Sequence, residues 1–185
     1  SNNTGMGYAA VEKSNAANNT GFGSSANRNN TGVNNTAIGA EALKGASGST
    51  STNNTAIGQH AGQVIDDGNY NIFVGSDAGQ NVTSGSGNVI IGSVDAAAVD
   101  SARTLKITGY DGSTTTTWIS GDSSGNLTFP ADVTLGDDLL LDSDAAVLKF
   151  GDDGEITLTH VADTGLALKH TATADDKPIK LTLQT

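Results

Sequence analysis

The sequence Asn35-Thr36-Ala37-Ile38-Gly39-Ala40-Glu41-Ala42-Leu43 returns 19 residues later as Asn54-Thr55-Ala56-Ile57-Gly58-Gln59-His60-Ala61-Gly62. The shared template is Asn, a residue that favours strands, a small or apolar residue, an apolar residue and Gly, and it occurs six times. Its final glycines stand at positions 7, 23, 39, 58, 75 and 92, which gives intervals of 16, 16, 19, 17 and 17 residues. A repeat of this period is typical of a solenoid, in which each coil buries its apolar side chains against the next coil.

Each copy of the template predicts one short β-strand with a single strong apolar residue, which we call the anchor. The anchors have the same phase in every copy and are Met6, Phe22, Ile38, Ile57, Val74 and Ile91. We therefore expect them to stack into an apolar ladder. The glycine after each anchor permits a positive φ or a close backbone approach, and the asparagine before each strand tolerates the left-handed region and caps a turn. Every coil is thus predicted to turn a corner at its glycine.

The character of the sequence changes after the sixth copy, which has Asp95 where the first five have alanine and which is predicted to cap the array. Sixteen of the 17 asparagines lie before residue 100. From Arg103 onward, period-two apolar runs separated by turn residues predict β-strands. These runs cover 105–108, 116–119, 127–129, 133–135, 139–141, 147–150, 156–158, 166–168 and 179–183. We predict a repeat domain over 1–96, a short helical or irregular link, and a strand-rich segment over 103–185.

The composition excludes several classes of protein. Among the 185 residues there are 24 glycines, and charged residues make up 16% against about 25% in typical globular domains. Long apolar side chains are too sparse to fill the broad interior of a compact enzyme, because each one contributes only about 1.5–3 kcal/mol on burial. Oligomerisation or stacking is therefore expected to supply the missing burial. With no cysteine, the chain has no disulfide, zinc thiolate or thiol nucleophile.

The charge balance argues against nucleic-acid binding, since 20 acidic residues outnumber 9 basic ones and the net charge is −11. Such a chain repels phosphate. The longest apolar runs have the length of a strand, so no membrane insertion is expected. The chain opens inside a repeat, at Ser1-Asn2-Asn3-Thr4, and we expect it to be a piece of a longer protein.

The repeats over about residues 2–95, in which strand, glycine and alanine phases recur together, resemble the head repeats of trimeric autotransporter adhesins (YadA-like) and similar repeats of phage tail fibres. The second half is similar to shaft segments of phage fibre proteins, through the stretches 125–139 and 142–151. The resemblance implies a homotrimer in which each chain forms a parallel β-roll. It also implies that the three rolls bury their anchors against one another and that the task is host attachment.

Acidic pairs are the first candidates for chemistry, because glycoside hydrolases use two convergent carboxylates. The pairs stand at 66–67, 137–138, 152–153 and 175–176. In predicted turns Asp is favoured simply because it bonds its own backbone, so we interpret these pairs as solvated turns. Asp142, Asp144, Asp152 and Asp153 offer oxygen ligands without the spacing of a calcium loop. We predict no catalytic, cofactor-binding or metal-binding residue.

Histidines and aromatic residues are the remaining candidates. His60, His160 and His170 are never spaced as zinc ligands, although His160 or His170 can meet its own copies at a three-fold axis. The aromatic residues that can stack on sugars are Tyr8, Tyr70, Tyr110 and Trp118. Scattered single aromatics more often serve packing.

Together these observations predict an all-β, elongated homotrimer: a parallel β-roll or β-solenoid followed by a strand-rich trimeric fibre shaft. It is expected to be no enzyme and to need no cofactor. We interpret it as a structural and adhesive segment of a phage tail fibre or virion appendage, with other virion tail proteins and a host surface polysaccharide or protein receptor as partners. The alternatives are the head of a bacterial trimeric autotransporter adhesin, extracellular on the cell surface, and a polysaccharide-degrading β-helix.

Overall fold

A computed structural model describes residues 2–142, 146–150, 156–161 and 163–170. The chain divides into two compact units, Ser1–Val133 and Thr134–Thr185. The described residues form strands and no helix, so they include no helix that could cross a membrane. The link between the predicted domains is irregular rather than helical, because residues 94–103 contain only bends and turns. The predicted all-β class is thus confirmed for the described part of the chain.

The first six strands lie one per coil and have three residues each. They are β1 (Thr4–Met6), β2 (Thr20–Phe22), β3 (Thr36–Ile38), β4 (Thr55–Ile57), β5 (Ile72–Val74) and β6 (Val89–Ile91). All pair in parallel, and each template copy stays in register with the next, as in Ala37 opposite Ala56 and Ile38 opposite Ile57. This arrangement confirms the predicted β-solenoid, with about six coils.

The middle residue of each strand faces the interior of the solenoid, and the anchors stack on its outer face. Gly21, Ala37, Ala56, Phe73 and Ile90 are buried. The ladder of anchors exists as predicted and lies on the outer face, while the interior takes small residues such as Ala37 in some coils and the large Phe73 in another. Met6 is 62% exposed, and Ile57 is 41% exposed.

The core is a single column inside the solenoid. Its members are Ala26, Ala37, Ala42, Leu43, Ala56, Ala61, Ile65, Phe73, Ala78, Val82, Ile90 and Ala96. Phe73 is the largest fully buried side chain, and it fits because Gly62 and Gly79 stand beside its ring, where an added Cβ would clash with it.

A buried asparagine ladder runs beside the core, and its residues stand directly before the strands. In each coil the asparagine accepts through Oδ1 the backbone N–H of its counterpart in the next coil, as Asn54 does from Asn71 at 2.9 Å. Its Nδ2 donates to a carbonyl that closes its own coil, as Asn54 does to Gly68 at 3.0 Å. The fully buried members are Asn19, Asn35, Asn54, Asn71 and Asn88. Since buried amides are costly unless paired, the ladder locks each coil to its neighbours.

The asparagines directly before the strands do not themselves use the left-handed region that they were predicted to tolerate. The positive φ falls on the preceding residue, which is Asn18 (φ 64°), Asn34 (φ 60°) or Asn53 (φ 58°) in three of the coils. The asparagine pairs therefore divide two tasks: the first turns the chain and the second fills the ladder.

Asn27 is an exception among the buried amides. Its side chain is fully buried, yet neither Oδ1 nor Nδ2 has a hydrogen-bond partner among the described residues. Leu43 occupies the same position of the next coil with nearly the same φ, 46° against 49°. Leaving such a group unpaired costs about 1–3 kcal/mol, so the second coil is a weak point of the array.

Beyond the sixth coil the sheet changes direction. Strand β7 (Leu105–Tyr110) pairs in parallel with β6, and then β8 (Thr115–Gly121) and β9 (Leu127–Thr128) continue antiparallel. The second unit has the antiparallel strands β10 (Val147–Phe150), β11 (Ile156–Val161) and β12 (Gly165–His170).

Two predicted strands, over 133–135 and 139–141, are not formed. Leu140, for example, is 81% exposed. An apolar run becomes a strand only where its backbone finds a partner, and this chain places none beside these residues. The run over 179–183 lies outside the described residues.

Candidate functional site

The outer face of strands β1–β6 is the most distinctive surface of the first unit, and we call it the apolar stripe. Its outward positions contain only Thr, Met, Phe, Ile and Val, so it carries no charge. Ile107 of β7 continues it opposite Ile91. With strands about 4.8 Å apart, the column extends over about 29 Å. A continuous apolar surface is typical of contact sites in proteins.

The corners after the strands present a polar ridge, formed in the first five coils by polar residues that stand two or five positions after the corner glycine. Arg28 Nε lies 2.6 Å from Glu12 Oε2, Lys44 Nζ lies 3.1 Å from Glu41 Oε2, and His60 Nδ1 lies 3.0 Å from Asp77 Oδ1. The hydrogen bond from Lys44 is the main cause that holds the pKa of Glu41 below its ordinary value. Exposed pairs of this kind contribute about 0–1 kcal/mol each, so the ridge mainly keeps this side hydrated.

Ser76, Asp77 and His60 resemble a hydrolytic triad by residue type only. Ser76 Oγ donates to Asp77 Oδ2 at 3.0 Å, and His60 Nδ1 meets the other carboxylate oxygen at 3.0 Å. The carboxylate therefore separates the hydroxyl from the imidazole. A serine nucleophile needs the histidine as its direct base, so this arrangement cannot activate the hydroxyl.

The acidic pairs are found in turns where they are described. Asp66 N donates to Thr83 O at 2.9 Å, and Asp138 N donates to Asp137 Oδ1 at 3.0 Å. The pairs at 152–153 and 175–176 lie outside the described residues, as does Asp144. In the part of the chain that is described, no group of three or more His, Asp or Glu is placed to hold a metal ion.

The two histidines of the second unit are placed on strands. His160 of β11 stands opposite Leu166, and His170 at the end of β12 stands opposite Ile156. The prediction that either of them meets its own copies at a three-fold axis stays a prediction.

The hairpin of β7 and β8 brings together two of the four aromatic candidates. Tyr110 and Trp118 line a cavity of about 330 Å³ together with Gly109, Asp111, Thr114 and Thr116. Tyr8 and Tyr70 stand apart, 79% and 68% exposed. This grouping was not predicted from the sequence, although the Asp111-Gly112 turn, which reverses the chain between the two aromatics, was a usable signal.

Comparisons with protein-family models, with curated proteins and with solved structures found no match for this chain. Two surfaces of the first unit stand out, the apolar stripe and the cavity of the hairpin.

Proposed function

We propose that this chain is a segment of a homotrimeric fibre, in which three solenoids pack by their apolar stripes, and that it serves host attachment in a phage tail fibre or related virion appendage. The observation that carries the proposal is the ladder of anchors on the outer face. Five of its six rungs are between 37% and 62% exposed in the single chain. The number three and the virion come from the resemblance of the repeats.

The parallel register supports packing of identical copies. All six anchors stand at one phase, so a second copy in the same orientation meets each rung with a rung of its own. Covering a half-exposed Ile or Phe stabilises an assembly by about 1 kcal/mol per side chain. Burial of the uncharged stripe removes no charged group from water, whereas burial of the polar ridge would do so.

The proposed role is mechanical. Main-chain ladders and the asparagine ladder run along the coils, so a pull along the solenoid is shared by many hydrogen bonds, and the polar ridge stays hydrated. Repeat arrays of this kind present extended surfaces on a stiff support. The proposal includes no catalytic step, since the carboxylate of Asp77 separates the hydroxyl of Ser76 from the imidazole of His60.

The assembly is tested by light scattering. We expect a mass about three times 18.5 kDa for the parent chain. Ile57→Asp should give a monomer, because it places an unpaired carboxylate in the centre of the stripe, at a cost of several kcal/mol per chain. Val64→Asp is the matched control, since Val64 is 40% exposed against 41% for Ile57 but lies off the strands. A monomeric parent at micromolar concentration, or a variant at Ile57 that still assembles, contradicts the proposal.

The location is tested separately with antibodies raised against the purified segment. They should label virion tails in electron micrographs. Labelling of the surface of uninfected cells instead contradicts the virion and favours a bacterial adhesin.

A further inference from the structure

The residues that line the cavity at the β7–β8 hairpin include no anchor of the apolar stripe, and the lining combines flat aromatic and polar groups. Trp118 is 57% exposed and Tyr110 is 53% exposed, so both rings are open to solvent in the single chain. Small-molecule sites in proteins have volumes of about 300–1,000 Å³ and combine aromatic walls with a few fixed polar groups. At about 330 Å³ this cavity falls at the lower end of that range.

Trp118 is held in place by the backbone of the opposite strand. A Cβ added at Gly109 would lie 2.5 Å from Trp118 Cζ2, so only glycine leaves room for the indole there. The register of the two strands shifts between Ile107 and Thr108, and such an irregularity re-aims the side chains beside it. The indole is therefore supported on the protein side while more than half of its surface stays open.

The polar side of the cavity is also fixed. Asp111 Oδ1 accepts the backbone N–H groups of Ser113 at 2.9 Å and Thr114 at 2.8 Å, which orients the carboxylate. These bonds, that of Thr114 first, lower the pKa of Asp111, so the group stays ionised at neutral pH. Among the described residues, Asp111 Oδ2 and the hydroxyls of Thr114 and Thr116 have no hydrogen-bond partner and remain available to a ligand.

We propose that this cavity binds a hexose unit of an uncharged glycan. The apolar face of the sugar ring stacks on the indole of Trp118, and the sugar hydroxyls donate to Asp111 and exchange hydrogen bonds with the two threonines. An acidic sugar is disfavoured because Asp111 lies in the site and the chain carries a net charge of −11. The inference deepens the proposed function, on which its biological meaning rests, by naming a receptor class and the residues that contact it.

The chain allows a direct test, since Trp118 is its single tryptophan and its fluorescence reports on this cavity alone. The parent assembly is titrated with maltose, cellobiose, lactose and mannobiose, and with digalacturonic acid as the acidic probe. We expect a saturable change in fluorescence with at least one neutral disaccharide and a response at least tenfold weaker to the acidic one. Asp111→Asn, which keeps the turn, should weaken the binding of the neutral sugar at least threefold.

Trp118→Ala is tested by calorimetry and on an array of neutral glycans, where binding should fall at least tenfold. Tyr70→Ala, which removes an exposed aromatic elsewhere, is the matched control and should bind like the parent. No saturable response to any neutral sugar, or a preference for the acidic one, overturns the proposal. So does a Trp118→Ala chain that changes its mass in light scattering, because the cavity is then an interface between copies. If no neutral sugar binds but the antibodies still label virion tails, the sugar site is wrong and the proposed function stands. If a neutral sugar binds but the tails are not labelled, the proposed function is wrong and the sugar site stands.

Discussion

Replacing Gly58 with valine should destabilise the solenoid by at least about 3 kcal/mol per chain, since it adds backbone strain and overpacking together. Gly58 has a φ of +135°, which a β-branched residue adopts only under strain. A Cβ there would also fall on the carbonyl oxygen of Gly75 in the next coil. The coils cannot move apart to relieve this contact, because the strand pairing and the asparagine ladder set their distance. Thermal unfolding followed by circular dichroism measures the effect.

Two other glycines separate the two causes of that loss. Gly48 has a φ of +90° but nothing within 4 Å of an added Cβ, so Gly48→Val carries the backbone strain alone. Gly136 has open space and no positive φ, and Gly136→Val should melt like the parent. The double change of Asp137 and Asp138 to Asn should likewise be neutral, because Asn serves the same turn. If Gly58→Val and Gly48→Val have the same melting temperature, the glycines after the anchors are not needed for the close approach of the coils.

Replacing Asn54 with leucine should cost about 3–6 kcal/mol, because it interrupts the asparagine ladder at its centre. The backbone N–H of Asn71 loses its acceptor, and the carbonyl of Gly68 loses a donor at 3.0 Å. The side chain of Asn71 loses a further partner at 3.1 Å. Each buried group left unpaired costs about 1–3 kcal/mol, and the volume of leucine does not offset this. Denaturant unfolding of the parent and the variant gives the difference.

The neighbouring Asn53 supplies the matched control. It is the residue with positive φ, and Gly87 occupies the equivalent position of the last coil with a φ of 73°. Asn53→Gly therefore keeps the turn and should change the free energy of unfolding by less than about 1 kcal/mol. Equal stability of the two variants contradicts a structural role for the ladder.

The repeat alone was sufficient to predict the solenoid. Six copies of one template located all six short strands, and the glycine after each anchor marked the corner, where φ lies between +108° and +135°. These features are local: the period, the strand former and the glycine each act within a few residues. The candidate stripe was also predictable, since the anchors share one phase.

Only the tertiary structure shows which side chains of each strand face inward and what the asparagines bind. Residue size does not decide which side chain of a strand points inward, since the interior takes Ala37 and leaves Ile38 outside but also takes the large Phe73. The ladder joins asparagines 16 to 19 residues apart, and no property of one asparagine indicates a partner at that distance.

The strand-rich half shows most clearly which features the local sequence predicts and which only the tertiary structure decides. Its apolar runs predicted β7 and β8, but equally apolar runs at 133–135 and 139–141 formed no strand, since strands need a partner that local sequence does not specify. The cavity likewise exists only because a turn and a shift in register bring Tyr110 and Trp118 to one place. The repeat period, the corners and the composition depend on neighbouring residues. The direction in which a side chain faces, the pairing of the strands and the contacts between distant side chains depend on backbone groups that pair across the coils.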